Sequence, residues 1–258
     1  MSRQRNLCAM TRAQIAALPD KACAPVIVTT GAIEQHGPHL PLAFDALMGQ
    51  VWLERVLALL PDEASCYVGP PITIGKSNEH TGFPGTLTIS KETLRLQLLA
   101  IARQLAAWGF TTLAILNTHG GNTSVLHYTL REIEAVCGLR AVLLRPDVQL
   151  DPPLPPQEAA YGFHAGELET SWLLAAAPHL VDMAKAVREH PARLDDPGEL
   201  RPEGAPATFA WASQDLSRSG VMGDATAATA EKGAAWIAQL AAGYAACITE
   251  LATPAGKS

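Results

Sequence analysis

The chain has 258 residues, 48% hydrophobic and only 17% charged, which suits one globular domain with a sizeable core over 1–258. A net charge of −6 with no basic run excludes a general attraction to nucleic acid or to anionic membrane. No uninterrupted apolar stretch reaches the roughly 18 residues a membrane span needs, so no membrane partner is expected.

The N-terminal segment is broken up by Arg3, Arg5 and Arg12 and lacks the apolar heart of a signal peptide. Residues 24–30 (APVIVTT) are short, β-branched and continuous, the pattern of a buried strand. Residues 46–60 carry apolar side chains at helical spacing, stopped by Pro61 and Asp62. An extended segment follows over 66–74, interrupted by Pro70 and Pro71.

Ser90 is placed to cap a helix over 91–108, with Leu94, Leu98, Ile101, Ala102 and Leu105 as its buried stripe and Gly109 as its stop. Residues 111–117 (TTLAILN) read as the clearest buried strand. Asn122 then caps a helix to Cys137, closed by Gly138, and 140–145 form a further strand. Residues 151–157 (DPPLPPQ) read as extended. Helices are expected over 166–177 and, Ala-rich, over 225–251, with a polar loop or flap at 191–219 between them. The strand–helix rhythm predicts an α/β fold, a mainly parallel sheet between layers of helices. Ligands of such sheets sit beyond the carboxyl ends of the strands, where the segments after Thr30 and Leu116 fall.

Three polar clusters carry chemistry. In the first, Glu34 and His36 are two residues apart, so extended chain projects both from one face, and Asp45 follows after a proline-containing turn. A carboxylate and an imidazole on one face make a start for a divalent cation. Taken alone, Asp45 reads as a helix cap, but Glu34 directly after a core strand needs a partner. The second cluster, Asn117-Thr118-His119-Gly120-Gly121-Asn122, joins the strongest strand to a helix, and its glycines allow close approach of a ligand. The third, His164 to Ser171 (HAGELETS), concentrates three titratable groups beside an otherwise apolar helix. Glu169 is assigned a metal role. Glu167, favoured in a first helical turn by the macrodipole, stays an open candidate for catalysis. Gly75-Lys76-Ser77 lacks the earlier glycine of a phosphate-binding loop, and no Gly-x-Ser-x-Gly elbow accompanies His119. Five dispersed cysteines, none in a Cys-x-x-Cys pair, fit a reducing, cytoplasmic compartment.

These segments, with 77–86 (SNEHTGFPGT) and 220–233 (GVMGDATAATAEKG), resemble the creatininase (creatinine amidohydrolase) superfamily in order along most of the chain. The resemblance implies an α/β sandwich, commonly a homohexamer, with two divalent cations, zinc or manganese and alternatively iron. By motif, Glu34, Asp45 and His119 would hold one cation and His36, Asp45 and Glu169 the other, with Asp45 bridging. His164 falls where the family moves protons, and Ser77 falls in its substrate-contacting loop. Such a pair of cations activates a water for attack on a carbonyl.

Creatinine-specific members carry a bulky aromatic and a glutamate where this chain has Gly120 and Gly121. That difference argues against creatinine and leaves Gly120 beside the substrate and Glu169 as the remaining carboxylate ligand. The expected activity is hydrolysis of a C–N bond in a small, nonpeptide cyclic amide or formamide. The competing readings are ring opening of a cyclic ketone or lactone such as a keto-inositol, and a silent metal- or ligand-binding protein.

Overall fold

In the computed structural model, residues 4–191, 200–201, 207–208 and 210–252 are described. In chain order the helices and strands are α1 (Arg12–Ala17), β1 (Pro25–Thr30), α2 (Phe44–Leu59), β2 (Tyr67–Val68), α3 (Lys91–Ala107), β3 (Thr112–Asn117), α4 (Thr123–Cys137) and β4 (Arg140–Leu143). There follow α5 (Pro156–Tyr161), α6 (Glu167–Ala176), β5 (Arg188–Glu189), β6 (Leu200–Arg201), β7 (Ala207–Thr208), α7 (Ser213–Leu216), β8 (Gly223–Asp224) and α8 (Ala230–Leu251). The central sheet has the order β2-β1-β3-β4, and every pairing in it is parallel.

Alternation along the strands divides the core in two. Ile27, Ala114 and Leu116 face one way and pack with Phe44, Met48 and Trp52 of α2, Leu173 of α6 and Ile237 of α8. Val26, Val28, Leu113 and Ile115 face the other way, onto Leu94 and Leu98 of α3 and Leu126, Leu130 and Ile133 of α4. Period-two alternation on continuous apolar strands therefore builds an α/β/α sandwich, as the sequence predicts. No helix among the described residues is long and apolar enough to cross a membrane.

Several boundaries move from their sequence-based positions. Helix α2 begins at Phe44, which draws Asp45 into its first turn instead of leaving it as a cap. Helix α8 begins at Ala230: Ala225–Ala227 forms a separate 3-10 turn, and Thr229 accepts the Lys232 N–H as the real cap. In α3 the buried stripe includes Leu99, while Ile101 is half-buried. Ser90 does cap that helix, accepting the Thr93 N–H. Asn122 precedes α4 but makes no capping bond. Its amide instead donates to Gly31 O at 3.0 Å and accepts Lys76 N–H at 2.9 Å, tying the loop after β1 to the 75–77 turn. The proline-rich segment runs into α5, with Pro156 at its first position. Of the expected 191–219 loop, 192–199, 202–206 and 209 lie outside the described residues. The remainder contributes α7 and the β6–β7 pair.

Chain order reverses across the sheet between β1 and β3, since β1 leads to β2 on one side and β3 lies on the other. The crevice beyond the carboxyl ends of these two strands is where open α/β sheets bind ligands. The segments after Thr30 and Asn117 both enter it.

Candidate metal centre and cavity

A cavity of about 830 Å³ opens at that crevice. Its walls include Glu34, Asp45, His119, His164 and Glu169, with His36 buried directly behind them. Glu34 leaves the end of β1, His119 leaves β3, Asp45 sits in the first turn of α2, and Glu169 sits in the first turn of α6. Four elements thus aim polar groups at one point, and Glu34, His36, Asp45 and His119 are each at most 5% exposed.

The separations suit groups that would share a cation. His119 Nδ1 lies 3.2 Å from Glu34 Oε1 and 3.4 Å from Asp45 Oδ2. His36 Nε2 lies 3.7 Å from Asp45 Oδ1 and 3.9 Å from Glu169 Oε2. At metal–ligand distances of about 2.0–2.2 Å, neighbouring donors in a coordination shell stand about 3.0–3.6 Å apart. Glu34 Oε2, His36 Nε2 and Asp45 Oδ2 are buried without any hydrogen-bond partner. Orphaned buried acceptors are costly, and a cation satisfies them. The donor set of carboxylates and imidazoles fits zinc or manganese.

Neighbouring groups orient the imidazoles. His36 Nδ1–H donates to Glu34 O at 3.2 Å, which turns Nε2 towards Asp45 and Glu169. His119 Nε2–H donates to Lys76 O at 3.0 Å, which turns Nδ1 towards Glu34 and Asp45. Such outer bonds fix the tautomer that a metal requires. Ala165 adopts a left-handed φ of +52°, unusual without glycine, and its N–H reaches Glu169 Oε2 at 2.6 Å.

Burial opposes charge throughout the cluster, but the neighbours decide. Burial disfavours the Glu34 carboxylate, yet the hydrogen bond and charge of His119, with His80 and His164, hold it well below the usual range. Burial would lower His36 and His119; the charge of Asp45 on the former and the contact with Glu34 on the latter prevail, raising them to about 10 and about 9. Burial pushes Glu169 up to about 7 and raises Asp45 as well. His164 is driven well below its ordinary value by burial, then by the charges of His36 and His80.

Not every residue singled out in the sequence reaches the cavity. Ser77 is fully buried behind His119, its Oγ 3.2 Å from His119 Nε2, and does not line the wall. Its N–H is held by Thr88 Oγ1 at 2.9 Å, which turns the side chain inward. Gly120 does line the cavity. Glu167 is buried outside it and pairs with Lys232 Nζ at 2.6 Å. Two residues apart on a helix are about 200° apart, so α6 cannot present both Glu167 and Glu169 to one site.

His80 is the residue the sequence reading passes over. It is 3% exposed, with Nε2 3.5 Å from Glu34 Oε1 and Nδ1 2.7 Å from Ser213 Oγ. The Gln35 amide nitrogen links it to the His164 side, lying 2.9 Å from His80 Nδ1 and 3.0 Å from Gly220 O. His164 Nε2–H donates to Gln35 O at 2.8 Å, leaving Nδ1 to face Glu34 at 3.9 Å. The Glu-His pair within 77–86, two residues past Ser77, was the available signal. Among the described residues, the donor groups close enough to share an ion are Glu34/Asp45/His119, His36/His164/Glu169 and Glu34/His80/His164.

The chain is similar to known proteins along most of its length. The creatininase family model (creatinine amidohydrolase) matches residues 9–248. A mycofactocin precursor peptide peptidase of Mycolicibacterium smegmatis is 33% identical over 222 residues, 85% of this chain and 82% of the relative. Creatinine amidohydrolase of Pseudomonas putida is 30% identical over 226 residues, 81% of this chain and 82% of its own. A 3-dehydro-scyllo-inosose hydrolase of Thermotoga maritima is 26% identical over 231 residues, 82% of this chain and 72% of its own. Among solved structures, a manganese creatininase superposes with a TM-score of 0.76 at 25% identity, covering 98% of this chain and 100% of that one.

Proposed function

The chain belongs to the creatininase family and is a metal-dependent hydrolase, and from that premise we propose that it cleaves the C–N bond of an amide with the help of two divalent cations, zinc or manganese. The observation that carries the reading is the convergence of Glu34, His36, Asp45, His119 and Glu169, with side-chain atoms facing one another at 3.2–3.9 Å and with Glu34 Oε2, His36 Nε2 and Asp45 Oδ2 buried without a partner. Glu34, Asp45 and His119 would hold one cation. His36, Asp45 and Glu169 would hold the second, with the two oxygens of Asp45 divided between them. Bound there, the cations would supply Lewis acidity to a carbonyl and lower the pKa of a water.

The chain's own residues supply the proton path. His164, neutral because it is buried, has its Nε2–H anchored on Gln35 O and its Nδ1 directed at the cluster. That nitrogen can take a proton from the attacking water and pass it to the departing amine. The Gln35 main-chain carbonyl holds the ring in this orientation, and the Gln35 side-chain amide reaches His80.

The substrate reading shifts from the small nonpeptide ring expected above towards a linear amide of the peptide type. A cavity of about 830 Å³ is near the upper end for small-molecule sites and far exceeds a single five-membered ring. Relatives at 33% identity are named as peptide peptidases. The ring-opening alternative rests on the more distant inosose hydrolase. We retain single-domain organisation, a cytoplasmic location and homohexameric assembly as family-based proposals; sedimentation tests the last.

The deciding experiment strips the protein with a chelator and reloads it with Mn or Zn. It is then assayed on short peptides, cyclic amides, formamides, lactones and inososes. Amide hydrolysis that vanishes on stripping and returns on reloading is expected. Turnover unchanged by full depletion, or confined to inososes and lactones, overturns the proposal.

A further inference from the structure

Among the described residues Arg145 is the only lysine or arginine lining the cavity, whose other charged groups are the carboxylates Glu34, Asp45, Glu79 and Glu169 and the histidines. It stands just past β4, one strand over from β3. Leu144 N–H still bonds Ile115 O at 2.9 Å, so Arg145 comes level with the Asn117 end of β3, two residues before His119. Its side chain is exposed and takes part in no hydrogen bond or ion pair among the described residues. The other cavity groups near it are apolar or uncharged: Leu143, Pro146, Leu240, Tyr244, Thr123 and Ser124.

This placement needs a reason. Some arginines of the described structure are tied down, as Arg5 is to Pro61 O at 2.9 Å and Arg95 to Glu132, while Arg145 combines an unbonded guanidinium with a place in the wall of the cavity. A guanidinium at the rim of a site rich in carboxylates, yet bonded to none of them, leaves its planar fork of donors for a ligand. Such a fork matches a carboxylate in two parallel hydrogen bonds. In the same cavity, Phe163 and Trp211 have ring centroids 5.5 Å apart and offer an aromatic surface for a bound molecule.

Building on the amide-hydrolase reading, we propose that Arg145 receives a free carboxylate of the substrate. The chain would then act on carboxylate-bearing amides, such as an N-acyl amino acid or the C-terminal end of a peptide. The cation sets which amides are held with the scissile carbonyl over Glu34, Asp45 and His119. It takes no part in the bond-breaking step.

The test compares one short peptide as the free acid and as its C-terminal amide, with metal-loaded wild type, Arg145→Met and Arg145→Lys. A charge-assisted pair contributes about 1.5–3 kcal/mol, so wild type is expected to prefer the acid by about 10- to 100-fold in kcat/KM. Arg145→Met should bring that ratio close to one, through KM for the acid more than through kcat. Arg145→Lys should restore part of it, without the bidentate geometry. Equilibrium binding of N-acetylglycine and its amide to the same metal-loaded proteins should follow the same ratios. Since Arg145 makes no hydrogen bond or ion pair among the described residues, an unchanged melting curve and metal content are expected of both variants. Equal use of acid and amide by wild type, or a preference that survives Arg145→Met, overturns the carboxylate assignment while metal-dependent amide hydrolysis stands. Failure to cleave any amide in the loaded state overturns both.

Discussion

Replacing Asp45 by Asn tests the centre most directly, because this residue alone faces both histidine donors. Its Oδ2 lies 3.4 Å from His119 Nδ1 and its Oδ1 lies 3.7 Å from His36 Nε2, at 2% exposure. Asparagine keeps the size, removes the charge and leaves one oxygen where two were needed. Removing one partner of a buried charged contact costs about 3–5 kcal/mol, or roughly 10²- to 10⁴-fold in affinity for the ion. Asp45→Asn should therefore emerge from gel filtration with no more than one metal per chain by elemental analysis, and with turnover lowered by a similar factor. Stability should move the other way. Burial raises the Asp45 carboxyl above its usual value, so in metal-free protein at pH 7 its ionised form costs stability. Metal-free Asp45→Asn should melt no lower than metal-free wild type, as expected of a functional group held at the expense of stability. Two metals per chain with at least half of wild-type turnover would refute the assignment. A large drop in the metal-free melting temperature would show that Asp45 serves the fold.

The remaining predictions concern the groups around it. His164→Asn should lower kcat by about 10²- to 10⁴-fold while metal content stays at the wild-type value, since general acid–base transfer contributes that much; elemental analysis beside steady-state kinetics checks it. Gly121→Ala puts a Cβ 2.4 Å from Lys76 O and 2.5 Å from His119 Nε2, so about 1–3 kcal/mol of stability and much of the metal should be lost. Gly120→Ala, whose Cβ meets nothing within 4 Å, should keep melting temperature and metal content. In metal-free protein His36 and His119 titrate at about 10 and about 9, above their ordinary 6.5. Raised basic groups stabilise fully below 6.5 and lose that contribution as pH climbs through the folded values, so the metal-free melting temperature should fall between pH 8 and 10. The loaded protein, with both rings serving as ligands, should not show that fall. Metal uptake at pH 7 should release protons, seen as a buffer-dependent heat in calorimetry.

The parts of this molecule written in the sequence are those set by local spacing. Six buried residues of β1 and the apolar run of β3 could only be strands of a covered sheet, and the α3 stripe followed from Ser90 and Gly109. Glu34 and His36 share a face because extended chain repeats every two residues. The illegible parts depend on contacts between distant segments. His80 enters the site because the 75–89 loop folds back, with Ile89 N–H on Gly75 O and Leu87 N–H on Ile33 O, and no periodicity announces such a loop. Ser77 shares that loop yet turns away from the cavity. Glu167 looks as acidic as Glu169, and only the rotation of α6 sends it to Lys232. The space left by Gly121 is taken by Glu79, whose Oε1 would stand 2.2 Å from a Cβ there, a substitution across 42 positions that spacing cannot reveal.

The same geometry explains why so costly a cluster persists in a chain with few charges. Glu34, Asp45, His36, His80, His119 and His164 are each at most 6% exposed, and taking an ion out of water costs several kcal/mol even after relaxation. Within the described residues no lysine or arginine pairs with Glu34, Asp45 or Glu169, so the protein's own compensation comes only from histidines that are themselves desolvated. Two dications against these three carboxylates would leave one unit of positive charge. A water that passed its proton to His164 as it attacked would shift that unit onto the imidazole, from which the departing amine would take the proton. On this account the centre is poorly satisfied in the protein alone, better satisfied with its ions, and best satisfied as negative charge develops on the reacting oxygen, the order in which a catalyst should improve.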